Sequence, residues 1–214
     1  MSTELLVRGT ASAAEPPGRG TVRAAVAADG PAMQPVHDRV VRQLAVVTAS
    51  VQELGAVVTR WSTGHVRTWA DRPWQPDGSR PPPVHHARIE VAVELADPAA
   101  LARWVDRHGA TAGFEVLGVE WALTEEREQE LGREVRARAV RDAVARAQEY
   151  ADALGLGTVR PVAVADAGLL APPGAAPLAE AVALRAGAAD GGGLELAPAD
   201  IEVTAAVDAR FAAD

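Results

Sequence analysis

The chain contains no cysteine and no lysine. Without cysteine there is no disulfide, no thiolate nucleophile and no Cys-ligated zinc, a state that suits a reducing compartment. Without lysine, Schiff-base chemistry and the lysine of a phosphate-binding loop are excluded. All 21 basic side chains are therefore Arg. Aromatics are scarce as well, at two Phe, one Tyr and five Trp. No run of roughly 18 apolar residues occurs, so no transmembrane segment is expected. The start, Met1-Ser2-Thr3-Glu4-Leu5, lacks the basic segment and apolar run of a secretory signal, and the expected location is cytoplasmic. Net charge is −8 with Arg scattered among acids, so no basic stripe marks a nucleic-acid partner.

What is present is patterned. Residues 3–9 alternate as a strand, Pro16-Pro17-Gly18 breaks it, and Gly20 to Ala28 reads as a second strand. Val36, Val40, Leu44, Val47, Val51 and Leu54 form one helical stripe that Gly55 closes. Val57 to Trp69 reads as one long strand on which Trp61, His65 and Trp69 share a face. Five prolines within the thirteen residues 71–83 then impose an exposed loop.

Ala87, Ile89, Val91, Val93 and Leu95 alternate with Arg88, Glu90 and Glu94, the pattern of a half-buried antiparallel strand. Asp97-Pro98 opens a short helix carrying Leu101, Trp104 and Val105. Phe114 to Leu123 is a strand whose parity shifts near Gly118, predicting a bulge. Thr124 caps the longest helix, with Leu131, Val135, Ala139, Ala143, Ala147, Ala151 and Leu154 on its inner side. Val159 to Ala165 reads as a buried strand. Residues 167–199 read as a mobile insertion with a short helix near 177–186. Ile201, Val203, Ala205, Val207 and Phe211 define the last strand.

The expected fold class is α+β in a single domain over 1–214. Its two layers are a mainly antiparallel sheet and the helices packed on it, in the order β-β-α-β-β-α-β-α-β-β. Two ββα segments, at 3–54 and 57–108, suggest a repeat, with too little identity to establish one.

Candidate chemistry is thin. His85 and His86 are strand neighbours and point to opposite faces, so they cannot share a metal. His65 and His85 share a face if their strands pair, but a third ligand is not evident. The acids read as solvent-face residues, and none form a marked carboxylate pair. Ser50, Ser62 and Ser79 lack a nucleophile-elbow context, and Gly191-Gly192-Gly193 lacks the phosphate-loop pattern. No catalytic residue, cofactor or metal site is expected. The tryptophans are more suggestive. Trp61 and Trp69 read first as core and alternatively as part of an exposed aromatic patch with His65 and Trp74. Trp74, between Pro73 and Pro76, is expected to be exposed, and Trp104 and Trp121 to be core.

The run from Tyr150-Ala151-Asp152-Ala153-Leu154-Gly155 to Val159, after Ala139, Ala143 and Ala147, resembles the alanine-rich helix, glycine turn and strand of the SIMPL domain family (domain of unknown function 541). Ile201 to Val207 resembles its final strand. Val91 to Asp97 with Leu101, Val105 and Gly109-Ala110 resembles its middle strand and short helix, and Val7-Arg8-Gly9 its opening strand. The family includes periplasmic and outer-membrane-associated bacterial proteins linked to oxidative-stress defence, some forming ring-like oligomers. It also includes an animal signalling adaptor that associates with a pelle-like kinase. It has no established catalytic residues to carry over. Two features depart from it: the signal peptide usual in bacterial relatives is not seen, and the Pro-Asp opening the second strand is replaced by Pro16-Pro17-Gly18-Arg19-Gly20.

The resemblance implies a non-enzymatic protein-interaction or self-assembling module linked to stress response, whose partner is another protein or a second copy. The alternatives are a small-ligand binding protein with a pocket between sheet and helices, lined by Trp61, His65 and Trp69, and an uncharacterised enzyme.

Overall fold

A computed structural model of the chain describes residues 2–76, 80–170 and 198–214. Its elements are β1 (Thr3–Glu15), β2 (Arg19–Gly30), α1 (Met33–Glu53), β3 (Val58–Thr63), β4 (Arg67–Asp71), β5 (Val84–Leu95), α2 (Pro98–Gly109), β6 (Phe114–Ala122), α3 (Glu125–Ala153), β7 (Arg160–Asp166) and β8 (Ile201–Ala213). The class is α+β with antiparallel pairing throughout, as expected. The strand expected over 57–69 is in fact two strands, β3 and β4, separated by residues 64–66. The helix expected near 177–186 lies outside the described residues.

The strands form two sheets rather than one, and the described residues divide into two compact units. One unit holds residues 2–16, 123–170 and 198–214, and the other residues 17–76 and 80–122. Consequently β1 and β2 do not form a hairpin, because each belongs to a different sheet. For the same reason the two ββα segments are not repeats: the first divides between sheets, and the second contains three strands.

In the first unit the strand order is β1-β8-β7. β1 and β8 pair without interruption from Thr3 opposite Ala213 to Glu15 opposite Ile201. α3 lies over these two strands. Thr124 caps it by accepting a hydrogen bond from the Arg127 N–H at 3.3 Å, and Glu125, Glu126 and Glu128 complement the positive end of its dipole. Its inner stripe of Ala139, Ala143, Ala147 and Ala151 is fully buried against Leu5, Val7, Val207 and Phe211. Such small side chains bring the helix close to the sheet. At Gly9 a Cβ would lie 2.0 Å from the Ala139 carbonyl oxygen. β7 was expected to be buried, but it is an edge strand beyond the helix, and Val162 and Val164 are half exposed.

In the second unit the order is β3-β5-β2-β6, with β4 also pairing with β5. α1 and α2 cover one face. Val36, Val40, Val47 and Val51 of α1 meet Val22, Val26, Ile89 and Val93 of the sheet. Asp97 caps α2 by accepting the Ala99 N–H at 2.8 Å, and Gly55 beyond α1 adopts φ 59°. The bulge read near Gly118 is present: Arg23 faces Gly118 while Ala24 faces Val116.

Candidate functional site

On β5 the odd-numbered residues face the helices, which leaves His86, Arg88, Glu90 and Glu94 on the other face. β4 sets Trp69 opposite His86, and the two rings stack with centroids 5.1 Å apart at 13°. The His86 Nε2 lies 3.1 Å from Asp71 Oδ1, and Arg88 donates to Glu115 at 2.8 Å. Trp69, His86, Arg88 and Glu115 border an open cleft of about 280 Å³ that also reaches Asp29 and Phe114. Trp69 is 44% exposed and Trp74, in the loop beyond β4, is 83% exposed.

The other nominated residues do not join this surface. Trp61 is opposite Val93, seven positions from His86 on β5, so it has the opposite parity to Trp69. The reason is the break between β3 and β4. Residues 64–66 oppose only Ile89 and Glu90, with the Gly64 N–H donating to the Glu90 carbonyl at 2.9 Å. That one extra residue reverses the face. His65 sits in the break and is exposed. Nor do Trp61 and Trp69 fill the core: both are near the sheet margin and about two-fifths exposed. Trp104 is core as expected, and Trp121 packs half-buried against it. A pocket does open between sheet and helices, but it measures about 70 Å³ and is lined by Val26, Gln43, Val47, His108 and Phe114. It is far below the roughly 300 Å³ of metabolite sites, and Trp61, His65 and Trp69 do not line it.

Two buried polar groups in this unit were not singled out as such by the sequence. Glu94, read as a solvent-face acid, is 8% exposed. It accepts hydrogen bonds from Thr59 Oγ1 at 2.6 Å and from Arg19 and Arg60 at 3.2 Å each. The Thr59 hydroxyl, aided by the two guanidinium charges, holds its pKa below the ordinary 4.5 against the upward push of burial. Asp208 in the first unit is similar. A hydrogen bond from Arg8, with the Gly168 N–H, holds its pKa below the ordinary 3.8. In both cases the folded pKa lies below the unfolded one. The stability they add is therefore complete above the unfolded value and is lost as pH falls through the folded value. Thermal melts between pH 7 and pH 3 should show this acid-side loss. Glu94→Gln should lower stability by about 1.5–3 kcal/mol at neutral pH and flatten the acid limb.

The second group is Ser50, 7% exposed, whose Oγ lies 2.8 Å from His108 Nε2. The pairing has the look of a nucleophile and its base. Its other bonds argue differently. Trp104 Nε1 donates to the Ser50 oxygen at 3.0 Å, and the hydroxyl proton goes to the Val47 carbonyl at 2.7 Å, its shortest contact. With the proton on that carbonyl, His108 Nε2 donates to the serine oxygen, and in this arrangement it does not act as a base. Burial, with the neighbouring Arg107 charge, lowers the His108 pKa and favours the neutral ring. The group joins α1 to α2.

The first unit carries a cavity of about 580 Å³ between the first turns of α3 and β8, lined by Glu125 and Glu128 and, further along the helix, by Arg133 and Arg136. Among the described residues no three His, Asp or Glu side chains converge as a metal site requires. No described helix is long and apolar enough to cross a membrane. The model of the SIMPL family, a protein of unknown function (DUF541), matches residues 5–211. No curated protein matches the chain.

Proposed function

We propose, from the premise that this chain belongs to the SIMPL family, that it is a non-enzymatic protein-interaction or self-assembling module. The observation that carries this reading is the half-exposed Trp69 stacked on His86, with the largely exposed Trp74 in the loop after β4. Large aromatic rings left in water at the end of a sheet are the residues that most often anchor a partner. The flanking Arg88, Glu115 and Asp29, with Asp71 beside His86, supply a charged rim.

The test is cross-linking of the tagged chain in its own cells, followed by mass spectrometry, for the natural sequence and for Trp69→Ala and Trp74→Ala. Recovery of the specific partner should fall roughly tenfold or more in each variant, the loss expected of a hot-spot residue. Melting of the Trp74→Ala protein should be unchanged, since Trp74 is exposed. Equal recovery from all three would sink this placement of the surface. The link to stress response rests on the family alone. A deletion strain with normal peroxide tolerance would remove it.

The alternative, a small-ligand binding protein, has the cleft beside Trp69 in its favour. Quenching of tryptophan fluorescence by a metabolite, abolished in Trp69→Phe, would support it over a protein partner.

A further inference from the structure

The cavity of about 580 Å³ in the first unit falls within the range of roughly 300–1,000 Å³ that holds small ligands. One stripe of α3 forms its wall, and Val203 and Ala205 of β8 give it an apolar floor. Its polar lining is Glu125, Glu128, Gln129, Arg133, Arg136 and Thr204. Among the described residues, none of these side chains has a hydrogen bond or ion pair. Arg127, Arg138 and Arg146 of the same helix are, by contrast, all paired with acids. The cavity is where the charges of α3 are left to something other than the chain.

Gly132 stands in the interior of α3 and lines the same cavity. Glycine weakens a helix interior relative to alanine, so its place there calls for a reason. Gly9 has one in the backbone that crowds it, and Gly132 does not. Beyond the helix's own turns, a Cβ at Gly132 would meet only the Arg136 guanidinium, at 3.5 and 3.9 Å. What the glycine provides is room for an occupant to approach the helix backbone, with a guanidinium beside it. The Arg136 head has folded back to the level of Gly132, as long helical side chains do. Glu128 and Glu125 stand four and seven residues before Gly132. At 1.5 Å of rise per residue they lie roughly 6–10 Å from that level along the axis.

We propose that this cavity binds a short peptide by its two charged ends, the carboxylate at Arg136 and Arg133 and the ammonium at Glu125 and Glu128. Charge separation selects the ligand class. A simple anion would engage the arginines and leave the two acids uncompensated beside it, and a simple cation would do the reverse. A free α-amino acid carries both charges, but they are only about 3 Å apart. An extended chain spans about 3.5 Å per residue, so two or three residues separate its ends by roughly 7–10 Å. That matches the spacing along α3. The guanidinium fork suits a carboxylate, and Gln129 and Thr204 offer hydrogen bonds to the peptide groups between. Val203 and Ala205 suit small apolar side chains, and Gly132 admits the peptide close to the helix. The site shares no residue with the Trp69 surface, and the proposal does not rest on that surface.

Titration of the full chain with trialanine at low salt, followed by amide nuclear magnetic resonance, tests this. Two charge-assisted contacts lead to a Kd on the order of 1 mM or below, with the Gly132 amide among the largest shifts. Acetylating the peptide's amino end, or amidating its carboxyl end, should each weaken binding roughly tenfold. Arg136→Gln should weaken trialanine by a similar factor and weaken the amidated peptide no further. Glu128→Gln should behave in the same way toward the acetylated peptide. Gly132→Leu should abolish binding with a melting temperature unchanged or raised, since the space is open and leucine favours a helix. No shift at several times the expected Kd overturns the proposal, as does equal binding of all three peptides. A loss on amidation with none on acetylation would make this an anion site and overturn the peptide assignment.

Discussion

Replacing Gly9 with alanine is expected to destabilise the first unit by about 3 kcal/mol or more, the upper end of overpacking costs. The added methyl would lie 2.0 Å from the Ala139 carbonyl oxygen and 2.5 Å from the Ala143 nitrogen. These are backbone atoms of α3 and cannot rotate aside. The helix must lift, and its buried alanine stripe lifts with it. Gly9 is not among the residues of positive φ, so conformational strain is not the cause. Contact distance alone decides the outcome. Differential scanning calorimetry should show a fall on the order of 10 °C in the transition that contains α3. Gly109→Ala is the control: nothing lies within 4 Å of its added methyl, and its melt should shift little. A Gly9→Ala protein as stable as the natural one would mean that α3 does not sit so near β1.

Replacing Ser50 with alanine should cost the second unit about 2–4 kcal/mol. The substitution removes one hydroxyl but strands two buried donors, Trp104 Nε1 and His108 Nε2. Leaving each unpaired costs about 1–3 kcal/mol, more than the bond itself contributes. Trp104 is 2% exposed and His108 5%, so water cannot readily replace the hydroxyl. The double variant Ser50→Ala with Trp104→Phe should lose less than the sum of the single losses, because the phenyl ring has no donor to strand. Urea titration of the four proteins measures the coupling. Strict additivity would show that the indole and the hydroxyl are not bonded. A hydrolytic activity lost with Ser50 while stability was unchanged would instead revive the nucleophile.

The tryptophan surface shows where local pattern fails. Period-2 reading assigned Trp61, His65 and Trp69 to one face because it assumed an unbroken strand. Residues 64–66 loop out against two residues of β5, and a single extra residue reverses every later side chain. His86 was set aside as half of a failed metal pair, yet it is the residue that stacks on Trp69. Its signal could have been found only by knowing that β4 pairs with β5. Glu94 was misread for a related reason: alternation located its face correctly, but burial came from Thr59, Arg19 and Arg60 on neighbouring strands.

By itself the sequence determined the local elements: the stripe of Val36, Val40, Val47 and Val51, the caps at Asp97 and Thr124, the stops at Gly55 and Gly155, and the alternation of β5 and β8. These depend on residues within one or two turns of each other, where spacing and backbone preference suffice. Its extended alanine helix and closing strand also carried the family. Only the tertiary structure decided that the strands divide into two sheets, that β1 leaves β2 for β8, and that β7 lies at an edge beyond α3. Those outcomes depend on which distant segments pair, and β1 meets β8 across nearly the whole chain. The same pairing puts Gly9 under α3.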